Sequence, residues 1–212
     1  ALNHYNRKLD IYIPKTTSHF MELILKIFVF KGKIDYEIHE VESGKIFENE
    51  DFYLEAEKMD HGTPCVAYAF VEKEKIRIDK KKLKKYKIEG KIISDLAKGK
   101  DIEWNGKKIK AKGLIYKQEK RKITFLMDTA LNPNMIKIAN DADLLISEST
   151  FLENSEKGKA LAEEYKHLTA KQTAETAKKA KVKKLVLAHL SQRYEGKEKL
   201  IEINAQMQGT LS

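Results

Sequence analysis

The sequence predicts a layered α/β fold, and three observations support this prediction. Segments with the alternating or apolar pattern of β-strands occupy much of the first half of the chain, and strand and helix patterns alternate after residue 122. This order is typical of a sheet covered by helices. Four of the strand segments are followed directly by a polar residue: His61, Asp128, Glu148 and His189. The 212 residues, 42% of them hydrophobic, fit one globular domain.

The first part of the chain predicts strands and one helix. Residues 9–13 alternate between apolar and polar side chains and stop at Pro14, as a strand does. Ser18 can cap a helix over residues 19–31 that ends at Gly32. This helix carries the longest apolar segment of the chain, so we expect it to be buried. Further strands are predicted at residues 35–41, 44–47, 52–59 and 67–72.

Residues 74–110 differ in composition from the rest of the chain. Six lysines lie within residues 80–87, and Trp104-Asn105-Gly106 is a tight hairpin signal. The segment has too few apolar residues to enter a core, which predicts a flexible basic arm inserted into the domain. A solvated helix face explains the charge equally well.

The last part of the chain alternates strands and helices. A strand is predicted at residues 123–127, a short helix at 134–140 and a second strand at 143–147. Thr169 and Gln172 have the spacing of a capping box, which predicts a helix over residues 170–180. Its alanines form a small-residue face suited to close packing, and residues 183–188 form the final strand.

Composition restricts the location and the partners of the protein. No apolar run approaches the roughly 18 residues of a membrane span, so no membrane association is expected. The single cysteine, Cys65, excludes an internal disulfide and indicates a reducing compartment such as the cytoplasm. The formal net charge of +9 suggests a polyanionic partner.

The residue types at the strand ends indicate metal and acid–base chemistry. Strands in an α/β sheet bring the residues at their carboxyl ends to one edge, where sites assemble. Histidine and carboxylate side chains bind zinc and transfer protons. Four such residues at four strand ends therefore predict a metal site at this edge.

Five segments in a fixed order resemble the second half of the ribonuclease Z family. They are residues 61–65 (HGTPC), 127–129 (MDT), 147–151 (SESTF), 167–170 (HLTA) and 188–194 (AHLSQRY). Ribonuclease Z enzymes are tRNA 3′-processing endonucleases with the metallo-β-lactamase fold. The resemblance therefore implies a partial domain of that fold over residues 1–212, in which the N-terminal part of the four-layer αββα sandwich is missing.

The resemblance also implies specific roles for these residues. His61, Asp128 and His189 would bind two zinc ions, with Asp128 bridging them. His167 would assist the leaving oxygen at the scissile phosphate, with Glu148 orienting its ring. RNA contacts are implied for Gly90 and for seven basic residues: Lys80, Lys81, Lys82, Lys84, Lys85, Lys87 and Arg193.

The function implied is removal of the 3′ trailer from precursor tRNA by metal-activated attack of water on a phosphodiester. The family also implies a homodimer. Its His-x-His-x-Asp-His motif is absent from this sequence. We therefore expect the chain to be a C-terminal part of such an enzyme, without the N-terminal part, and inactive by itself.

Two other functions stay open. A hydrolase of the same fold could act on small phosphodiesters or other nucleic acids, although a small substrate would not require the basic segment. A catalytically inactive tRNA-binding fragment would leave His61, Asp128, His167 and His189 without a role.

Overall fold

The computed structural model describes residues 7–27, 35–153 and 157–196. The chain divides into two compact units. The main unit comprises residues 1–71 and 122–212, and the inserted unit comprises residues 72–121. The segment from which an arm is predicted, residues 74–110, lies within the inserted unit.

The described elements follow one another in chain order. The first nine are β1 (Leu9–Pro14), α1 (Ser18–Ile27), β2 (Tyr36–Val41), β3 (Gly44–Glu48), β4 (Phe52–Asp60), β5 (Pro64–Glu72), β6 (Lys75–Ile78), α2 (Lys80–Tyr86) and α3 (Ile93–Ala97). The remainder are β7 (Ile102–Trp104), β8 (Lys107–Ile109), β9 (Ile115–Gln118), β10 (Arg121–Leu126), α4 (Asn134–Ala139), β11 (Leu144–Glu148), α5 (Gly158–Tyr165), α6 (Ala170–Lys179) and β12 (Leu185–Ala188).

A six-stranded sheet with the order β12-β11-β10-β5-β4-β3 forms the centre of the main unit. Strands β10, β11 and β12 are parallel, so their carboxyl ends lie at one edge. Strands β1 and β2 pair in parallel as a separate ribbon. The predicted strands of both halves are confirmed, with β5 beginning three residues earlier than predicted.

Helices α4 and α6 contribute to the core of the main unit. Leu126, Leu145, Met135 and Leu168 are fully buried in one cluster with Ala177. The predicted capping box is confirmed, because the Thr169 hydroxyl accepts the N–H of Gln172 while the Gln172 side chain accepts the N–H of Thr169. The small side chains of α6 allow the helix to approach the core closely.

The prediction that the apolar helix is buried is wrong for its described part. Helix α1 has no buried residue, and Ile27 is 79% exposed. Apolar periodicity defines a helix face, but burial also requires a covering surface, and none of the described residues supplies one. The predicted turns beyond Ile27 fall in residues 28–34, outside the described residues. Among the described helices, none has the length and apolar character required to cross a membrane.

The inserted unit has an apolar core of its own, which corrects the expectation that this segment lacks one. Leu83, Ile88, Leu96, Ile102 and Leu114 are buried together. These apolar residues are scattered among exposed lysines. The overall composition of the segment therefore underestimates how many apolar side chains pack together.

Local signals in the inserted unit explain its elements. Asp79 caps α2 by accepting the N–H groups of Lys81 and Lys82. The hairpin prediction is confirmed: Asn105 and Gly106 connect β7 to β8 with φ values of +51° and +72°. Asparagine and glycine tolerate this left-handed backbone conformation. The lysine-rich stretch is therefore a capped helix that buries only Leu83 and is solvated on its other sides.

We predict that Leu96→Ala destabilises the inserted unit by about 2–5 kcal/mol, because Leu96 is fully buried. The only tryptophan of the chain, Trp104, lies in this unit, so its fluorescence follows unfolding there. Ile76→Ala is the matched control, since Ile76 is 51% exposed and should change stability by about 0.5 kcal/mol or less. Equal shifts of the urea midpoint for both variants would contradict the core described above.

Candidate metal centre

The ends of three parallel strands position Asp128, Glu148 and His189. Leu126 pairs with Ser147, and Glu148 pairs with Ala188, so the residues that follow each strand emerge side by side. Asp128 and His189 both have a positive φ, +35° and +52°. This conformation is unfavourable for residues with a Cβ, and such strain concentrates at functional sites.

Three of the predicted site residues form a group that could hold a metal ion. Donor atoms of Asp128, His167 and His189 all lie within 4.8 Å of one another. His189 Nδ1 is 3.1 Å from Asp128 Oδ1, and the rings of His167 and His189 have centroids 5.2 Å apart. His167, which resemblance to the family places in catalysis, thus occupies the position in this group where His61 was predicted.

His61 is a second ring neighbour of His167. Its ring centroid is 4.9 Å from that of His167. The segment before it is tied to the Asp128 loop, because the N–H of Ala130 donates to the carbonyl of Asp60 over 2.7 Å. His167 therefore has the rings of both His61 and His189 next to it, with Asp128 beside His189.

Glu148 is the buried centre of this site. Its side chain is fully buried, and both carboxylate oxygens accept hydrogen bonds. The donors are the N–H of Thr129 (2.6 Å), the hydroxyl of Thr150 (2.7 Å), the N–H of Leu168 (3.0 Å) and Nδ1 of His167 (3.1 Å). A buried carboxylate is stable only when its lone pairs are satisfied in this way.

The three imidazoles use their Nδ1 atoms in the same manner. His61 Nδ1 donates to the carbonyl of Lys166, and His167 Nδ1 faces the Glu148 carboxylate. Thr150 donates its hydroxyl proton to Glu148, so its oxygen accepts from His189 Nδ1 at 3.1 Å. In the neutral form each ring would carry its lone pair on Nε2, the arrangement in which protein oxygens orient metal-binding histidines.

Charge affects two further groups at this edge. A hydrogen bond from the Lys166 ammonium holds the pKa of Asp60 below its ordinary value. Burial, with the nearby charges of Asp128 and Glu148, raises the pKa of the Cys65 thiol. Its Sγ donates to the carbonyl of Asp128. Cys65 is therefore a protonated packing residue and not an activated nucleophile.

The donor set is suited to zinc. Imidazole nitrogens and a carboxylate oxygen are common zinc ligands, and three protein ligands leave a coordination position open. Asp128 and His189, with a third donor from His167 or His61, suffice for one ion. A centre with two ions would require ligands beyond those that the described residues bring together.

A second group with suitable donor atoms lies on the β1–β2 ribbon. Asp10, Glu37 and His39 have donor atoms within 4.8 Å of one another. His39 is hydrogen-bonded to Asp10 and stacks on Tyr12, and Glu37 forms an ion pair with Lys8. These pairings explain the cluster as an exposed ion-pair network on one face of the ribbon.

The predicted RNA-contacting residues are divided between the two units. Lys80, Lys81, Lys82, Lys84 and Lys85 are exposed on α2, Lys87 ends that helix with a left-handed backbone, and Gly90 follows in a turn. Arg193, in the main unit, stacks over the ring of Phe151.

Sequence reasoning missed a groove in the inserted unit. It has a volume of about 770 Å³ and is lined by Lys85, Tyr86, Lys87, Trp104, Lys107, Lys108 and Lys110, among others. The Trp104 indole N–H is buried without a hydrogen-bond partner among the described residues. The lysines around the Asn105-Gly106 turn are the sequence signal that could have identified this groove.

Curated relatives show the family of the chain. It is 35% identical over 209 residues to ribonuclease Z of Listeria monocytogenes, covering 95% of this chain and 67% of the relative. The chain belongs to the ribonuclease Z family. It is also 34% identical to ribonuclease Z of Nanoarchaeum equitans and 38% identical to that of Ligilactobacillus salivarius, covering 91% and 89% of this chain and 60% of each relative. The chain therefore spans about three-fifths to two-thirds of the length of these ribonuclease Z relatives.

Solved structures confirm the metallo-β-lactamase fold. The metallo-β-lactamase fold protein YhfI of Bacillus subtilis matches with a TM-score of 0.57 at 16% identity, covering 98% of this chain and 61% of that chain. Human short-form tRNase Z matches with a TM-score of 0.59 at 22% identity, covering 89% of this chain and 62% of that chain. No family model matches the sequence.

Proposed function

We propose that the chain forms the catalytic edge and the RNA-binding insertion of a zinc-dependent endoribonuclease that removes the 3′ trailer from precursor tRNA. One observation carries this proposal: in a member of the ribonuclease Z family, Asp128, His167 and His189 gather within 4.8 Å. The Glu148 carboxylate faces Nδ1 of His167 at hydrogen-bond distance. A bound zinc ion would supply Lewis acidity for activating water and for stabilising charge on the phosphate.

His167 and Glu148 have the geometry of an acid and its orienting partner. The buried carboxylate faces Nδ1 and would stabilise a positive charge on the ring. In this role His167 would not be a zinc ligand, and its Nε2 would carry the proton for the leaving oxygen. Such an acid would protonate the tRNA 3′ oxygen as it leaves the phosphorus, so that it departs as a hydroxyl and not as an unstabilised alkoxide.

The inserted unit would bind the RNA backbone. Its exposed lysines contact phosphates without reading sequence, which suits a substrate class with one shape and many sequences. Tyr86 and Trp104 beside Lys107 and Lys108 add aromatic surface to the basic groove. Aromatic and basic side chains together are typical of surfaces that bind single-stranded or looped RNA.

We further propose that the complete enzyme holds two zinc ions and is a cytoplasmic homodimer. His61 would be a ligand of the second ion, since its ring lies next to His167. A reducing compartment is supported by the single half-buried cysteine. The two rival functions, a small-phosphodiester hydrolase and an inactive tRNA-binding fragment, differ from this proposal in whether RNA is cleaved and whether metal is bound.

In the complete enzyme, we predict that His167→Ala lowers the cleavage rate of a precursor tRNA by roughly 10²- to 10⁴-fold, the range for a positioned general acid. The loss should appear in kcat and leave precursor binding near that of the wild type, because the proton is transferred only in the transition state. Single-turnover cleavage and filter binding measure the two quantities. His19→Ala is the matched control, since His19 is exposed on α1.

Two results would contradict this assignment. An unchanged cleavage rate in His167→Ala would leave His167 as a structural residue. Cleavage of a small phosphodiester with no cleavage of precursor tRNA by the wild type would favour the small-substrate hydrolase.

Reversing the charge of Lys80, Lys81, Lys84 and Lys85 should weaken tRNA binding and reduce the slope of log K against log salt concentration by about 3, as expected when four phosphate contacts are lost. These lysines are exposed on α2, so folding should be retained. A control with the same net charge reverses Lys178, Lys179, Lys181 and Lys184, exposed at the end of α6 and just after it. Equal salt slopes for both variants would exclude α2 as an RNA contact.

A further inference from the structure

Lys166 contacts the segment of His61 through both its backbone and its side chain. Its carbonyl accepts a hydrogen bond from His61 Nδ1 at 2.9 Å. Its ammonium donates to Asp60 Oδ1 at 2.6 Å. Its side chain also passes over Gly62, where an added Cβ would lie 3.5 Å from Lys166 Cδ. One residue thus contacts Asp60, the last residue of β4, and His61, and its side chain lies near Gly62.

The backbone of Lys166 makes the carbonyl contact possible. Lys166 ends α5 with φ +56° and ψ +50°, the left-handed conformation. Helices commonly end in this conformation at glycine or asparagine, because other residues pay a steric penalty for it. Here the left-handed turn directs the Lys166 carbonyl to His61, while His167, the next residue, faces Glu148.

The acceptor determines the protonation pattern of the His61 ring. A carbonyl oxygen can only accept, so the proton must reside on Nδ1 and the lone pair on Nε2. Free histidine favours the opposite tautomer, with the proton on Nε2. The Lys166 carbonyl therefore selects the form of His61 in which Nε2 can bind a metal ion.

We propose that Lys166 is a positioning residue: its left-handed carbonyl fixes the ring of His61 with Nε2 free for a metal ion, and its ion pair with Asp60 holds the β4–β5 loop against that carbonyl. The role of His61 as a metal ligand comes from the proposed function, and the proposal for Lys166 rests on it. Lys166 also connects His61, the proposed ligand, to His167, the proposed acid, because Lys166 and His167 are consecutive residues.

The ion pair by itself stabilises little. Lys166 is 41% exposed and Asp60 54% exposed in their side chains, and exposed pairs contribute little to folding. Its contribution is geometric, since it restrains the loop that carries His61. Substitutions that remove the ammonium and substitutions that move the carbonyl should consequently have different effects.

Three variants separate the carbonyl from the ammonium. Lys166→Met removes the charge and keeps an unbranched side chain, Lys166→Gly removes the charge and favours the left-handed backbone, and Lys166→Val removes the charge and disfavours that backbone. Asp60→Asn removes the ion pair from the other side. Circular dichroism verifies that each variant is folded.

The decisive readout is the tautomer of His61 in the metal-free chain, measured at pH 8 from the ¹⁵N shifts of the ring. We expect the Nδ1–H form in the wild type. The same form with partial loss is expected in Lys166→Gly, Lys166→Met and Asp60→Asn, which lack the ion pair, and a mixture of tautomers in Lys166→Val, which also disfavours the left-handed backbone. An Nε2–H ring in the wild type would overturn the proposal. So would a folded Lys166→Val chain with the wild-type tautomer.

Zinc titration of the same variants in the complete enzyme tests the proposed function separately, because the second ion requires ligands beyond those of the described residues. Lys166→Val should lower zinc affinity by roughly 10- to 100-fold, the range for losing a partner that orients a ligand, and Lys166→Gly should lower it less. His61→Ala is the reference for complete loss of the ligand. Tautomers as expected, together with zinc affinity unchanged in His61→Ala, would support the positioning by Lys166 and reject His61 as a ligand.

Discussion

The buried carboxylate of Glu148 is the interaction on which the rest of the site depends. It lies at the end of β11 and accepts hydrogen bonds from the loop after β10 and from the segment before α6. Through Thr150 it also reaches His189 after β12. An unpaired charge at a fully buried position would be costly, so these segments are held where they can satisfy it. Their convergence brings Asp128, His167 and His189 together.

Much of this arrangement can be predicted from the sequence because strands determine it. The apolar runs before Asp128, Glu148 and His189 predict parallel strands, and parallel strands place the residues that follow them at one edge. The capping box of α6 and the Asn105-Gly106 turn depend on side chains next to each other in sequence, and both are confirmed.

Other features depend on contacts between residues distant in sequence. The core of the inserted unit consists of apolar residues scattered among lysines, and only the fold brings them together. Helix α1 has the periodicity of a buried helix and an exposed apolar face. The carbonyl of Lys166 carries no side-chain signal, so its contact with His61 cannot be read from residue types. Helix α5 has no side-chain cap to mark its start, so the sequence does not predict it.

The two units present different side chains. The main unit gathers imidazoles and carboxylates at strand ends, where hydrogen bonds orient them. The inserted unit presents lysines and aromatic rings suited to a polyanion, around a small core of its own. In the proposed function, the inserted unit would recognise the charge and shape of RNA and the main unit would perform the chemistry.

We infer that Glu148, which is not in the donor group, positions that group for a metal ion. Isothermal titration of Zn²⁺ into Glu148→Gln tests this inference, with Glu163→Gln on the exposed face of α5 as the matched control. Glutamine replaces one accepting oxygen by a donor, so His167 and the loops lose their common partner. A folded Glu148→Gln chain should bind zinc roughly 10- to 100-fold more weakly than the control. Equal zinc affinity in the two folded variants would contradict it.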